Sequence, residues 1–257
     1  MWEAFKNFIF WLIQAFYNIC GDWGLAIIII TLIFRAAITP LMYTQSKSSY
    51  NMRKIQPLIT QIKERFPDDI QRQNEETQKL YAQAKFNPLA GCVPMLIQMP
   101  IFILLFQVLR GDGGKYLNNV TDCSFYGIVP NLVESPAGAL ADGIVAAIPY
   151  FALLLLFAFL TFIPSLMTMN KADKAQRQQT LIMMVFMTLM MLFIGWSSPA
   201  GVLLFWAVSS LLAIIQQQVS LAIVKKQDAE VEAALPAAPV QVTVERKQSK
   251  KRQHKKR

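Results

Sequence analysis

The stretch that decides the fold class is residues 24–43, GLAIIIITLIFRAAITPLMY. It contains one charged side chain, that of Arg35, and no acidic residue. Because a helix needs about 20 mostly apolar residues to cross the hydrocarbon core of a bilayer, this stretch is long enough to span a membrane. A buried helix of a soluble bundle would have a polar face, which this stretch lacks. It therefore predicts a transmembrane helix.

Four further apolar stretches follow the first, and none of them contains an aspartate or a glutamate. Only Ser197 and Ser198 separate the last two, so those helices are expected to form a tight hairpin. The sequence predicts an all-α polytopic membrane protein with five transmembrane helices. The predicted transmembrane segments are residues 22–43, 89–110, 144–169, 180–196 and 199–224.

The composition of the 257 residues agrees with a membrane protein. Hydrophobic residues make up 54% of the chain and charged residues only 16%, which is below the figure of about a quarter for soluble domains. So much apolar material excludes a chain that is disordered over most of its length. The formal net charge of +9 is typical of nucleic-acid binders, but a cytosolic binder does not need such long apolar stretches.

The distribution of lysine and arginine predicts the orientation of the chain. Residues 44–88, 170–179 and 225–257 contain 21 of these basic residues, whereas the segments on the opposite side contain three. Basic residues concentrate in the cytoplasmic segments of membrane proteins, so the first group is expected in the cytoplasm. The N-terminus is therefore predicted outside and the C-terminus inside.

The first segment outside the spans, residues 1–20, has apolar side chains at helical spacing. This pattern predicts an amphipathic helix on the outer surface of the membrane. A partly inserted sixth span, or an uncleaved signal anchor, is the alternative. The remaining outer and cytoplasmic connections are predicted as an extracytoplasmic loop at 111–143 and a cytoplasmic loop at 170–179.

Residues 44–88 are predicted to form a cytoplasmic helical hairpin. The spacing of apolar residues predicts one helix over Met52–Phe66 and a more polar one from Ile70 to Ala84. Between them lies Pro67-Asp68-Asp69, whose aspartates are good caps for the second helix. Little apolar area can be buried here, so we expect the hairpin to move freely.

Residues that could support enzymatic chemistry are scarce. The only histidine is His254, so no histidine-based triad or zinc cluster can be built. The three cysteines are too few for a disulfide framework, although Cys20 and Cys123 could pair on the outer side; separate thiols are the default. We therefore expect no enzymatic activity, no metal site and no cofactor.

Arg35 is the unusual residue of the sequence. A charged side chain at the centre of a transmembrane helix costs about 2.5 to 3.5 kcal/mol on insertion scales, and none of the other spans offers an acidic partner. The sequence therefore favours a water-containing cavity lined by neutral polar groups. The candidates are Thr31, Gln98, Ser209, Ser210 and the run Gln216-Gln217-Gln218. The alternative is a structural crosslink in which backbone carbonyls hold the guanidinium.

Several separate blocks of the sequence form a recognisable series. They are GDWGLAIIIIT at 21–31, Gln56-Pro57, Leu80-Tyr81, NPLAGCVP at 87–94, LIQMPIF at 96–102 and IIQQQ at 214–218. In this order they resemble the YidC family of membrane protein insertases. The resemblance extends over residues 2–226, and the chain is similar to the short Gram-positive or actinobacterial form, without the large periplasmic domain of Gram-negative members.

The resemblance implies that the five spans form a hydrophilic groove, open to the cytoplasm and to lipid but closed on the outside. By position in the family's motifs, Arg35 matches the groove arginine, and Thr31, Gln98 and Trp206 match other groove positions. Four more residues match the apolar flank along which a substrate helix slides. These are Met99, Pro100, Leu203 and Phe205.

The resemblance also implies a function and a location. The function is to insert nascent membrane proteins of one or two spans without ATP, alone or beside the Sec translocon, in a bacterial plasma membrane. The hairpin resembles the family's mobile lid, the disordered basic tail at 225–257 resembles segments that contact the ribosome or anionic lipid, and a monomer is expected to suffice. The basic residues of the tail are Arg246, Lys247, Lys250, Lys251, Arg252, Lys255, Lys256 and Arg257.

The sequence is also compatible with two other functions. A small-solute transporter would also place a single charge in a cavity at the membrane midplane, although inverted repeats and broken helices are not evident in the sequence. A tether for nucleic acid or anionic lipid would place the function in the basic tail.

Overall fold

The computed structural model describes residues 2–84, 93–110, 123–169 and 174–234. These residues form helices and no strand apart from an isolated bridge between Phe125 and Val129, which confirms the all-α prediction. The helices are α1 (Trp2–Cys20), α2 (Trp23–Ala37), α3 (Thr39–Arg65), α4 (Ile70–Gln83), α5 (Val93–Arg110), α6 (Pro136–Ala141), α7 (Ile144–Met169), α8 (Lys174–Trp196) and α9 (Ala200–Ala234).

Two of these helices are long and apolar enough to cross a membrane by themselves, over Ile144–Ile163 in α7 and Ala200–Glu230 in α9. α1 and α2 meet the same test as a pair that bends by 118°. The apolar parts of α5 and α8, Leu96–Arg110 and Leu181–Trp196, are shorter. The described residues thus form a helical membrane protein, and the number of five spans remains a prediction.

A sharp turn separates α1 from α2. Gly21 has a φ of 71°, a left-handed conformation that glycine adopts at little cost. Asp22 then caps α2, because its carboxylate accepts a hydrogen bond of 2.7 Å from the backbone N–H of Leu25. The sequence GD at this position therefore ends one helix and begins another in a new direction.

α3 begins earlier than the apolar spacing predicts. It starts at Thr39, directly after a turn at Ile38, so the predicted boundary at residue 44 lies inside a helix. Pro40 has no backbone N–H to donate, and the first turn of a new helix is the position where this donor is not needed. The second hairpin helix, α4, is capped by Asp69, which accepts a hydrogen bond of 2.9 Å from the N–H of Arg72. The capping prediction is therefore confirmed.

The main apolar core lies at the end of the bundle where residues 123–143 pack, which is the predicted outer end. There the carbonyls of Glu134 and Leu132 accept hydrogen bonds of 2.8 Å from the N–H groups of Ala200 and Gly201, at the start of α9. At the start of α2, the Asp22 carboxylate also accepts a hydrogen bond of 2.6 Å from the backbone N–H of Tyr126. Residues 123–143 therefore hold the outer ends of α2 and α9 together.

The cysteines on the outer side do not form the disulfide that the sequence left open. Cys20 and Cys123 are both in the thiol form. The Cys20 thiol donates to the carbonyl of Phe16, one turn earlier in α1, at 2.9 Å. Cys92 lies outside the described residues.

Gly24 provides a test of the contact at the outer end. A Cβ added at this position would lie 2.6 Å from the Cβ of Phe125, where atoms of ordinary side chains do not approach each other. We expect Gly24→Ala to destabilise the protein by about 1–3 kcal/mol, because the clash is with the rigid base of the aromatic side chain. The measurement is the thermal unfolding of the purified protein in detergent.

The control is the double variant Gly24→Ala with Phe125→Gly, in which the clash is removed because glycine has no Cβ. The Gly24 substitution should have a smaller effect in this background than in the unsubstituted chain. Equal effects in the two backgrounds would contradict the contact.

Candidate functional site

The candidate site is centred on Arg35, in the last turn of α2. Its side chain is 9% exposed, and its Nε and Nη2 atoms donate hydrogen bonds of 2.9 and 2.6 Å to the hydroxyl of Ser209 on α9. Ser209 itself is 2% exposed. Among the described residues, no carboxylate forms an ion pair with Arg35, so its positive charge is hydrogen-bonded but not neutralised. Ser209 is one of the neutral polar partners that the sequence suggested, and the partner is a side-chain hydroxyl rather than a carbonyl.

The backbone beneath Arg35 is also held by α9. The carbonyl of Arg35 accepts hydrogen bonds from the Gln216 side-chain amide at 2.8 Å and from the Thr39 hydroxyl at 3.0 Å. The same amide nitrogen lies 2.8 Å from the Thr39 hydroxyl. The turn at Ile38 interrupts the regular hydrogen bonds of the helix. The side chains of Gln216 and Thr39 therefore supply hydrogen-bond donors to the carbonyl of Arg35 at this point. Gln216 therefore positions the end of the helix that carries Arg35.

Thr31 lies one turn before Arg35 and is fully buried. Its hydroxyl donates to the carbonyl of Ile27 within α2, at 2.7 Å, so its donor is already used. The oxygen of the Thr31 hydroxyl can still accept a hydrogen bond, and it lies on the same face of α2 as Arg35.

Gln98 on α5 carries a polar atom that the surrounding chain does not satisfy. Its side-chain amide nitrogen is buried and has no hydrogen-bond partner among the described residues. Leaving such a donor unsatisfied costs about 1–3 kcal/mol. The amide can therefore still donate a hydrogen bond.

Trp206 lies in a stack of three aromatic rings. Its indole is sandwiched between Phe102 of α5, at a ring-centroid distance of 4.5 Å, and Phe157 of α7, at 4.8 Å, with interplanar angles of 2° and 11°. Both faces of the indole are therefore covered by side chains of the protein. The stack connects α5, α7 and α9, and the two phenylalanines were not among the predicted site residues.

The four residues predicted for a substrate slide divide into two pairs. Met99 is 44% exposed and Pro100 is also exposed, so both can face lipid or a guest helix. Leu203 and Phe205 are only 0% and 3% exposed, because the first turns of α9 are enclosed by the main core. These two side chains are therefore enclosed by the protein in this structure, and their contact with a substrate helix stays a prediction.

Polar side chains continue from the Arg35 site toward the hairpin. The hydroxyl of Tyr43 donates to the side chain of Gln227 at 2.7 Å, and the hydroxyl of Tyr50 donates to Asp228 at 3.0 Å. Lys54 forms an ion pair with the same carboxylate. Partial burial and the hydrogen bond to Asp228 raise the pKa of the Tyr50 hydroxyl, so it is a donor at neutral pH.

We call this row of contacts the polar seam. It consists of Arg35, Thr39, Tyr43, Tyr50 and Lys54 on α2 and α3, and Ser209, Gln216, Gln227 and Asp228 on α9. Sequence reasoning identified its first members and missed those on the hairpin side. The missing signal was spacing, since Ser209, Gln216 and Gln227 lie on one face of α9 at intervals of 7 and 11 residues.

The tail was predicted to be disordered over residues 225–257, but α9 continues to Ala234, so residues 225–234 are helical. Arg246, Lys247, Lys250, Lys251, Arg252, Lys255, Lys256 and Arg257 all lie outside the described residues. Their role in binding the ribosome or anionic lipid stays a prediction.

The fold and the site are those of a helical membrane protein with a buried arginine. The guanidinium of this arginine, Arg35, is hydrogen-bonded to the neutral hydroxyl of Ser209. The sequence profile of the family described as "60Kd inner membrane protein" matches residues 15–227. The chain belongs to this family, which confirms the resemblance found in the sequence.

Proteins named membrane protein insertase YidC are among the relatives. The one from Mannheimia succiniciproducens is 36% identical over 210 residues, covering 82% of this chain and 35% of the relative. The one from Dechloromonas aromatica is 33% identical over 213 residues, covering 81% and 34%. The chain thus spans about a third of the length of these curated relatives.

A solved structure is also similar. It is the crystal structure of an active YidC insertase with the first transmembrane domain resolved. Its sequence is 29% identical to this chain, the TM-score is 0.62, and the match covers 85% of this chain and 46% of that one.

The hydrogen bonds between Arg35 and Ser209 can be tested by Ser209→Ala. We expect a loss of stability of about 1.5–3 kcal/mol, because a buried charged group loses the acceptor of two donors. The measurement is again thermal unfolding in detergent. The control is Ser210→Ala at the adjacent, less buried position; equal effects of the two substitutions would show that Ser209 does not hold Arg35.

Proposed function

We propose that this chain is a membrane protein insertase. It takes the hydrophilic segment of a nascent protein with one or two spans into a positively charged groove within the membrane, and it releases the apolar helix of that protein into the lipid. The observation that carries this proposal is Arg35, a buried cation that a hydroxyl rather than a carboxylate holds, in a chain of this family. The names of the relatives support it.

The proposed groove is formed by five spans and opens to the cytoplasm and to lipid. Its closure on the outside is supported by residues 123–143, which bind the outer ends of α2 and α9. Arg35, Thr31 and the unsatisfied amide of Gln98 are its polar lining. The aromatic stack around Trp206 is a wall of the groove.

The charge of Arg35 has a specific task in this mechanism. An acidic side chain of the substrate loses its hydration when it enters the groove, and attraction to the guanidinium partly offsets that cost. Two unit charges 4 Å apart attract by about 4 kcal/mol at an effective dielectric constant of about 20, compared with about 1 kcal/mol in water. Arg35 therefore favours substrates with acidic hydrophilic segments.

The driving force needs no ATP. A membrane potential that is negative inside favours outward movement of an anion by about 2.3 kcal/mol per 100 mV. Burial of the apolar helix in lipid adds about 25 cal/mol for each Å² removed from water. Met99 and Pro100, which are exposed beside Gln98 on α5, are the apolar surface along which that helix leaves.

The remaining parts of the proposal concern location and partners. The chain acts in the bacterial plasma membrane with its N-terminus outside and its C-terminus in the cytoplasm, which the distribution of basic residues supports. The partners are nascent membrane proteins, the ribosome through the tail, the Sec translocon for some substrates, and anionic lipids. One copy is sufficient, and the protein is not an enzyme.

The first prediction concerns Arg35→Ala. Purified protein in liposomes should insert a small two-span substrate with an acidic connecting loop about tenfold less well after the substitution, because the loop loses its attracting charge. The measurement is protection of the substrate's loop from added protease. A substrate with a neutral loop should be affected much less.

The matched control is Arg110→Ala, which removes the same charge from an exposed position over the ring of Phe106. This variant should insert the acidic substrate normally. If Arg35→Ala also inserts it normally, the proposed role of Arg35 is wrong.

A second prediction separates charge from geometry. Arg35→Lys keeps the positive charge but loses the planar fork with which Nε and Nη2 both bind Ser209. Since the attraction depends mainly on charge, we expect insertion of the acidic substrate within about threefold of the unsubstituted chain. A lysine variant as inactive as Arg35→Ala would show instead that guanidinium geometry is essential.

A further inference from the structure

The first half of α3 is packed against α9 along its length. On α3, Met42 and Ser46 are buried, and on α9 Ser220, Leu221 and Val224 are buried. The two serines are small, which lets the helices lie close together. The base of the hairpin is therefore packed against α9 rather than a free arm.

Polar contacts hold the same half of α3 at several points. Thr39 meets Gln216 at its start, Tyr43 binds Gln227 further along, and Tyr50 and Lys54 both bind Asp228. Asp228 is thus the last residue of the polar seam on α9 and the acidic one among the members of the seam. Its carboxylate forms an ion pair with Lys54 and accepts a hydrogen bond from the hydroxyl of Tyr50.

The apolar packing of α3 changes near Lys54. Ile55 and Ile59 are buried against Leu80 of α4, and Met52 packs against this small cluster, which is separate from the main core. The buried apolar residues of α3 beyond Lys54 therefore belong to the hairpin's own core.

Pro57 lies inside α3 where this apolar packing changes. It has no N–H to donate to the carbonyl of Arg53, one turn earlier, and its ring strains the preceding turn. Kinks in helices occur mostly at such positions. The helix is therefore weakest just beyond the contact of Lys54 with α9.

We infer that Asp228 locks the first half of α3 onto α9, so that the hairpin moves about Pro57 instead of about the membrane surface. Only residues beyond Pro57, together with α4, form the mobile part. Through Gln216 the same seam positions Arg35, so release of the lock loosens the site as well. This inference deepens the proposed function and rests on it for its role in insertion.

Hydrogen–deuterium exchange of the full chain in lipid nanodiscs tests the lock without a substrate. In the unsubstituted protein, amides of residues 43–54 should exchange more slowly than those of residues 58–83. Asp228→Asn keeps the shape of the side chain but removes its charge. We expect it to raise exchange at residues 47–54 by about threefold to tenfold, since a partly exposed ion pair contributes modestly.

The matched control is Glu230→Gln, two residues away, where the carboxylate is exposed and lies 4.0 Å from Lys226. It should leave exchange at 47–54 unchanged. Lys54→Gln should reproduce the effect of Asp228→Asn, and the exchanged pair Lys54→Asp with Asp228→Lys should restore most of the protection. Equal exchange in Asp228→Asn and Glu230→Gln would overturn the lock, and so would fast exchange of 43–54 in the unsubstituted protein.

The insertion assay in liposomes separates this inference from the proposed function. If the unsubstituted chain does not insert the two-span substrate, the proposed function fails, while the exchange data still decide whether the lock exists. If it does insert the substrate, the lock predicts that Asp228→Asn changes the rate by about threefold or more and Glu230→Gln does not. Normal insertion by Asp228→Asn with raised exchange would overturn the coupling to the site.

Discussion

The guanidinium of Arg35 is buried, and no carboxylate in the described part of the chain pairs with it. A guanidinium carries five donors, and each must find an acceptor or water when the group leaves bulk solvent. Ser209 supplies one hydroxyl that accepts two of them. This contact fixes α2 beside α9, and it fixes their register, because a shift by one turn would separate the two side chains.

The register set by Arg35 explains the shape of the chain toward the hairpin. Gln216 lies two turns after Ser209 on the same face of α9, and there it reaches the turn at Ile38. The helical path can change direction at that turn because Gln216 and Thr39 satisfy the carbonyl of Arg35. A break that would be costly in lipid is tolerated where a neighbouring helix provides the missing hydrogen bonds.

Sequence reasoning reached the centre of the site and lost accuracy away from it, for physical reasons. Arg35 is visible in the sequence because a charge within an apolar stretch contradicts its surroundings. The roles of Asp228 and Lys54 cannot be recognised in the sequence, because polar residues near the ends of spans resemble ordinary surface residues. The burial of Leu203 and Phe205 was not visible in the sequence, because apolar residues of a membrane protein face lipid and core alike and hydropathy does not separate the two sides.

The choice of a hydroxyl as the partner of Arg35 matters for how the site can work. An aspartate at position 209 would neutralise the guanidinium, and a guest carboxylate would then have to displace a buried ion pair, whose disruption costs about 3–5 kcal/mol. A serine orients the guanidinium through hydrogen bonds and leaves its charge uncompensated. Under the proposed function, a guest carboxylate would therefore gain an attraction that the Ser209 hydroxyl does not already neutralise. The guest would regain its hydration on leaving, and this would offset part of the attraction that it loses.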